Sequence, residues 1–386
     1  MNLPQPSADA LEQSTQMRAL LKDRITQAGG WIPFSTYMAD ALYTPGLGYY
    51  SGGARKFGSG GDFITAPELS PLFGEALATQ VRQIMELSVP EIIEVGAGTG
   101  LLAVDLLCEL ERQGALPTRY RILELSGELR ERQQQTLAAK APHLAERVSW
   151  LDAMPERFSG ALVANEVLDV MPVHVLAWRP DGLFERGVSL DGEGNFAWAD
   201  RPATGRVAEA AARLEIGFPS EGEYVSELNL AGEAWVAEWA QRLEQGAMLL
   251  IDYGYPRAEY YLPSRSTGTL LCYYRHHAHP DPFLWPGLND ITAFVDFTSV
   301  AEAGFGAGLD VLGYTTQAHL LLNCGVLSCL ERRAPQESPE YIRGSKALQR
   351  LTSPHEMGEL FKVIALARGI GQPLIGFLRG DRLHAL

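Results

Sequence analysis

Between residues 90 and 253 short apolar runs alternate with longer stretches of helical period. EIIEV (91–95), YRILEL (120–125), RVSWL (147–151), ALVAN (161–165) and AMLLIDY (247–253) read as strands. LLAVDLLCELERQG (101–114) and the segment reaching Leu137 read as helices. Strand, helix, strand repeats predict an α/β fold: a parallel sheet with helices on both faces. Upstream, residues 9–28 form an amphipathic helix stopped by Gly29-Gly30. A second helix is expected from Pro33 to Tyr43, and Ser70-Pro71 opens a third that ends near Leu87. Residues 46–66, rich in glycine, suit neither helix nor simple hairpin, and long ordered loops of this kind are often functional. Between the fourth and fifth strands, LFERGVSL and NFAWAD predict antiparallel strands. Residues 231–245 predict a helix, with Trp235 and Trp239 one turn apart in its core face.

Residues 288–315 are read as a helix and a last pair of strands. Beyond them, Ser353-Pro354-His355-Glu356 makes a capping box before a helix MGELFKVIALARG ending at Gly369, and the terminal PLIGFLRGDRLHAL reads as a closing hairpin. The pattern divides the chain into five parts. They are N-terminal helices with a glycine-rich loop (1–90), the first half of the core (91–180), an inserted α+β segment (181–245), the second half (246–316) and C-terminal helices with a hairpin (317–386).

Composition narrows the function. The 386 residues are 46% hydrophobic, so a packed globular protein is expected. There are 47 acidic against 32 basic residues, a formal charge of −15, which argues against nucleic acid or an anionic membrane as partner. Residues 181–245 alone hold 13 acids against 5 arginines, a net −8 that would suit docking of a basic protein segment. Cys108, Cys272, Cys324 and Cys329 form no CxxC, so zinc ribbon and disulfide scaffold are both unsupported. No apolar run reaches the ~18 residues that span a bilayer. The N-terminus has neither an apolar signal core nor a basic residue before Arg18.

The chemistry gathers where predicted strands end. EVGAGTG (94–100) follows the first strand, and glycine there permits a sharp turn and close ligand approach. A dinucleotide fingerprint GxGxxG fails at Leu101, although the shifted GTGLLA fits a looser form. S-adenosylmethionine needs no pyrophosphate cradle, and Glu124, 24 residues after Gly100, would serve its ribose as well as that of NAD. At the end of the fourth strand, NEVLDVMP places Asn165, Glu166 and, three residues on, Asp169. Two carboxylates there either orient a guanidinium or amine or cap the following helix. The motif is not (N/D)PP(Y/F), which argues against methylation of a nucleobase amine. Asp252, at the end of the fifth strand, faces the same edge. RHHAHPDP (275–282), with His276, is a polar loop whose spacing fits no metal template. No metal is expected.

These motifs, with LYTPGLGYY (42–50), GDFITAPELSPLFGEALA (61–78), ILELSGELRERQ (122–133), NEVLDVMPV (165–173), LLIDYGYP (249–256), GTLLCYYRHHAHPDPFLWPGLNDITAFVDFT (268–298) and MGELFKVIAL (357–366), resemble the MidA-like S-adenosylmethionine-dependent methyltransferases. The likeness runs from about Trp31 to Gly369. It implies a class I methyltransferase core, a Rossmann-like seven-stranded sheet with one antiparallel strand, and S-adenosyl-L-methionine as cofactor with S-adenosyl-L-homocysteine as product. It assigns the cofactor to Glu94, Gly96, Gly98, Gly100, Glu124, Asn165 and Glu166. Asp62, Phe63 and Thr65 would fold over it from the long loop as a lid. The reaction implied is protein arginine N-methylation, with Glu166 and Asp169 orienting the nitrogen and Asp252 and His276 as further candidates. A small-molecule N- or O-methyltransferase, or a cofactor-binding assembly factor without turnover, remains the alternative. A bacterial cytoplasmic location is expected, and homodimerisation stays open.

Overall fold

The computed structural model describes residues 3–51, 64–217 and 219–386. Its chain divides into two compact units. The parallel-sheet unit takes Ile64–Val167, Ala234–Arg257 and Asp296–Leu386. Its seven main strands are β1 (Glu91–Val95), β2 (Arg119–Leu123), β3 (Val148–Leu151), β4 (Phe158–Asn165), β5 (Leu243–Tyr255), β6 (Asp310–Thr316) and β7 (Phe361–Arg368), and a two-residue strand, Val295–Asp296, also pairs with β5. The seven lie in the order β3-β2-β1-β4-β5-β7-β6. Among them only β7 runs antiparallel to its neighbours, pairing Ile251 with Val363 on one side and Tyr314 with Ile364 on the other. This is the class I methyltransferase sheet.

The strands are nearly continuous apolar runs because both faces are covered. On one face Ile92, Tyr120, Ile122, Val163, Leu249, Ile251 and Val363 share a core with the helices Leu72–Leu87 and Leu101–Arg112 and with the C-terminal helices. Trp239 is fully buried, its ring 5.4 Å from Phe158 and 6.0 Å from Trp235. That is the core packing expected of the tryptophan pair.

The C-terminus departs from the sequence reading. The long helix expected over MGELFKVIALARG is a single turn, Met357–Leu360, followed by strand β7. The run VIALA after Lys362 is apolar all round, so its period cannot separate a buried helix from a buried strand. Pairing decides it: as a strand the segment satisfies the backbone groups of β5 on one side and of β6 on the other. The expected closing hairpin is instead two 3₁₀ turns, Ile375–Phe377 and Leu383–Ala385.

The second unit combines residues 3–51 with Leu168–Glu233 and Ala258–Val295. Gly182–Leu190 is paired antiparallel with both His174–Arg179 and Phe196–Pro202, and Tyr224–Leu228 and Ile32–Pro33 extend this sheet. LFERGVSL and NFAWAD are therefore strands, as expected. The unit reaches well beyond 181–245. Met17, Leu21 and Ile25 of the first helix, Ala8–Gln27, share one core with Val175, Val188, Phe196, Cys272 and Ile291. No helix among the described residues is long and apolar enough to cross a membrane.

Candidate active site

In an open parallel sheet, ligands bind beyond the carboxyl ends of the strands, where adjacent connections diverge. Here that edge is formed by the ends of β1, β2, β4 and β5. After Val95 the chain turns through Gly96, Gly98 and Gly100, with φ of 67°, 51° and 82°. Side chains avoid this region, and two of the glycines are also needed for space. A Cβ on Gly96 would sit 3.0 Å from Val167 Cγ2, and one on Gly100 would sit 3.1 Å from Gln133 Cα. Gly100 then caps the helix Leu101–Arg112.

Glu124, just past β2, is buried. Its Oε1 accepts from the Ser126 amide at 2.9 Å and its Oε2 from Gln133 Nε2 at 3.1 Å. Burial pushes its carboxyl above the ordinary value, while the Ser126 and Gln133 donors and the charge of Arg130 act against that. Glu94 is also buried, and its Oε2 accepts from Tyr120 Oη at 2.6 Å. Burial raises its carboxyl to about 7, with the Glu124 charge adding to the shift against the Tyr120 bond.

At the end of β4, Asn165 Nδ2 donates to Glu166 Oε1 at 3.0 Å. Glu166 adopts φ 55° although it carries a side chain. Its amide still donates to Ile251 O at 2.9 Å, and the next amide, of Val167, donates to Asp252 Oδ2 at 3.2 Å. Asp252 is 1% exposed, and its Oδ1 accepts from the Tyr253 amide. Asp252 thus braces the strained turn from β5. Thr65 precedes a single helical turn, Ala66–Leu69, and its carbonyl accepts from Glu68 and Leu69. Asp62 and Phe63 lie outside the described residues.

Asp169 and His276 belong to the second unit. Asp169 is buried there, and its backbone carbonyl accepts from the Ala293 amide. Burial, then the charge of Asp290, and less strongly that of Asp169, push the Tyr50 phenol well above its ordinary value. Tyr50 Oη donates to Asp290 Oδ1 at 3.0 Å, and its ring stacks on Tyr43 at 5.6 Å. His276 is exposed at the tip of a hairpin between Leu271–Tyr274 and His277–His279. Among the described residues no group of histidines, cysteines and carboxylates could hold a metal.

Much of the acidity of residues 181–245 is matched within the chain. Asp200 and Glu223 both pair with Arg179 and Arg186, and Glu185 meets His174. Glu227 is buried and accepts from Thr269, Leu270 and Tyr260. Sequence reasoning did not single out Gln133, Tyr120, Trp150 or Glu227. Only Gln133 carried a signal: with Leu129 and Leu137 it completes an i, i+4, i+8 buried stripe on an otherwise polar helix.

The residues present fit S-adenosylmethionine. The glycine turn leaves backbone bare, Glu124 offers a carboxylate, and the buried Oδ1 of Asn165 has no hydrogen-bond partner among the described residues. Buried acceptors of this kind are rare unless something is meant to meet them.

Comparison with known proteins agrees. Residues 72–315 match the family described as S-adenosyl-L-methionine-dependent methyltransferases. The mitochondrial protein arginine methyltransferase NDUFAF7 homolog of Drosophila melanogaster is 30% identical, over 97% of this chain and 91% of the fly protein. Its Mus musculus counterpart is 28% identical over 92% and 85%. A crystal structure from Burkholderia thailandensis, bound to S-adenosyl-homocysteine, is 52% identical over 100% of both chains, with a TM-score of 0.96. The chain belongs to the MidA-like family of S-adenosyl-L-methionine-dependent methyltransferases.

Proposed function

We propose that this methyltransferase acts on arginine side chains of a protein. The carrying observation is Glu166, a carboxylate held at the cofactor edge by a backbone that no local turn requires. When bound, S-adenosyl-L-methionine supplies a methyl group on a positively charged sulfur. A guanidinium is protonated at any relevant pH, so the chain must orient one nitrogen and place a carboxylate to take the proton that nitrogen loses as the methyl arrives. Glu166 supplies that carboxylate, Asn165 fixes its orientation, and Asp252 keeps the turn beneath it in place. Asp169, beside Tyr50 and Asp290, is a second candidate for holding a cationic side chain. The relatives named as protein arginine methyltransferases support the same substrate class. We place His276 outside the chemistry, as a turn residue. A cytoplasmic location goes with this reading, and the four free cysteines suit a reducing compartment.

The test is transfer of labelled methyl from S-adenosyl-L-methionine into a bacterial lysate, followed by mapping of the modified residue. Methylarginine in a protein band, lost with Glu166→Gln, is the expected result. Label confined to a protein-free extract would establish a small-molecule methyltransferase instead. Tight S-adenosyl-homocysteine binding with no label anywhere would establish an assembly factor without turnover.

A basic substrate segment would meet exposed acids that have no ion pair among the described residues, such as Asp181, Glu209 and Glu221. Docking by charge requires affinity to fall as salt rises from 50 to 300 mM, where the Debye length drops below roughly 10 Å. A flat salt response would exclude it.

A further inference from the structure

The helix Gly127–Lys140 presents three buried residues at four-residue spacing: Leu129, Gln133 and Leu137. The middle one is a fully buried glutamine where an apolar residue would pack without cost. Every polar group on it is used. Nε2 donates to Gly98 O at 3.0 Å and to Glu124 Oε2 at 3.1 Å, and Oε1 accepts from Trp150 Nε1 at 2.7 Å. One side chain thereby ties the glycine turn after β1 to the carboxylate after β2, and both to Trp150 of β3. Gly100 lacks a side chain where Gln133 approaches, so the turn and the helix fit each other.

We propose that Gln133 is a positioning residue for cofactor binding: it aims the Glu124 carboxylate and locks it to the glycine turn. The inference rests on Glu124 as the ribose ligand. Its physical content is directional. A carboxylate that receives two ribose hydroxyls must be ionised and must not rotate. Burial works against ionisation. The Ser126 and Leu125 amides, Arg130 and Gln133 work for it. Of these, Gln133 alone also touches the turn that carries the rest of the site.

The test is calorimetric titration with S-adenosyl-homocysteine between pH 6 and 8. Gln133→Leu should weaken binding at pH 7.5 by ~10-fold, the scale of one hydrogen bond to a charged group. The loss should deepen as pH falls, because the carboxyl then keeps its proton to higher pH. A structural role alone would lower stability without steepening that pH profile. Trp150→Phe removes only the donor to Gln133 Oε1 and should cost ~3-fold while the protein stays folded, so it tests the relay if Gln133→Leu does not fold. Glu124→Gln is the control. If it abolishes binding while Gln133→Leu and Trp150→Phe bind within twofold of wild type at every pH, the Gln133 proposal is overturned. If Glu124→Gln itself binds normally, the ribose assignment falls and the proposal falls with it.

Discussion

Among the places where the described residues put a charged or titratable side chain in the left-handed backbone region, the tip of the 271–279 hairpin and the end of β4 differ in what demands it. At the hairpin tip, Arg275 and His276 have φ of 45° and 63°. Tyr274 pairs with His277, so only two residues connect the strands. A two-residue connection needs positive φ at both positions to match the strand twist. At the end of β4, Glu166 has φ 55° with no hairpin to require it. There the conformation is held from outside, by Ile251 O and by the Asp252 grip on the next amide. Strain that a local turn explains carries no message about chemistry. Strain that tertiary hydrogen bonds impose on an ionisable residue does.

The sharpest way to break this contrast is to change Glu166. Glu166→Gln should lower methyl transfer by ~100-fold or more, the scale of losing one positioned catalytic group, with S-adenosyl-homocysteine affinity near normal. Unchanged turnover would make the β4 end no different from the hairpin tip. Next in size is Gly100→Ala, which places a Cβ against Gln133 in a left-handed backbone. We expect a loss of ~1–3 kcal/mol in stability and weaker cofactor binding by calorimetry. Normal binding would mean the turn tolerates a side chain and is not a close-approach site.

A third prediction concerns pH. Glu94 has a carboxyl raised to about 7 in the folded protein. A raised carboxyl contributes stability at low pH and loses it as pH climbs from the unfolded value, roughly 4.3, through 7. Glu94→Gln should therefore raise the Tm relative to wild type at pH 8 and leave it unchanged near pH 4. An equal difference at both pH values would contradict a protonated Glu94. The smallest effects return to the two strained sites. Glu166→Gly and His276→Gly should each stabilise by about 1 kcal/mol as the backbone relaxes. Only the first should cost activity. Loss of transfer in His276→Gly would return that histidine to the chemistry.

A second lesson concerns charge. Residues 181–245 carry a net −8. Folding brings Arg179, outside that window, and Arg186 onto Asp200 and Glu223, and buries Glu227 among backbone donors. Sequence counts net charge, whereas a partner meets only what remains exposed and unpaired.

The alternating core, the glycine turn and the carboxylates that follow β2 and β4 are all legible in the amino-acid order alone. Those rest on local physics: apolar runs of strand length, glycine where the backbone turns sharply, and polar residues where strands end. Tertiary structure alone decided three things. It made VIALA a strand, because only pairing with β5 and β6 distinguishes it from a helix. It set Asp252 as a brace for the turn at Glu166, since Asp252 reaches the Val167 amide only when β4 and β5 lie side by side. It also brought Gln133 to the site, because a glutamine on a polar helix means little until Gly98 of the turn after β1, Glu124 just past β2 and Trp150 of β3 converge on it.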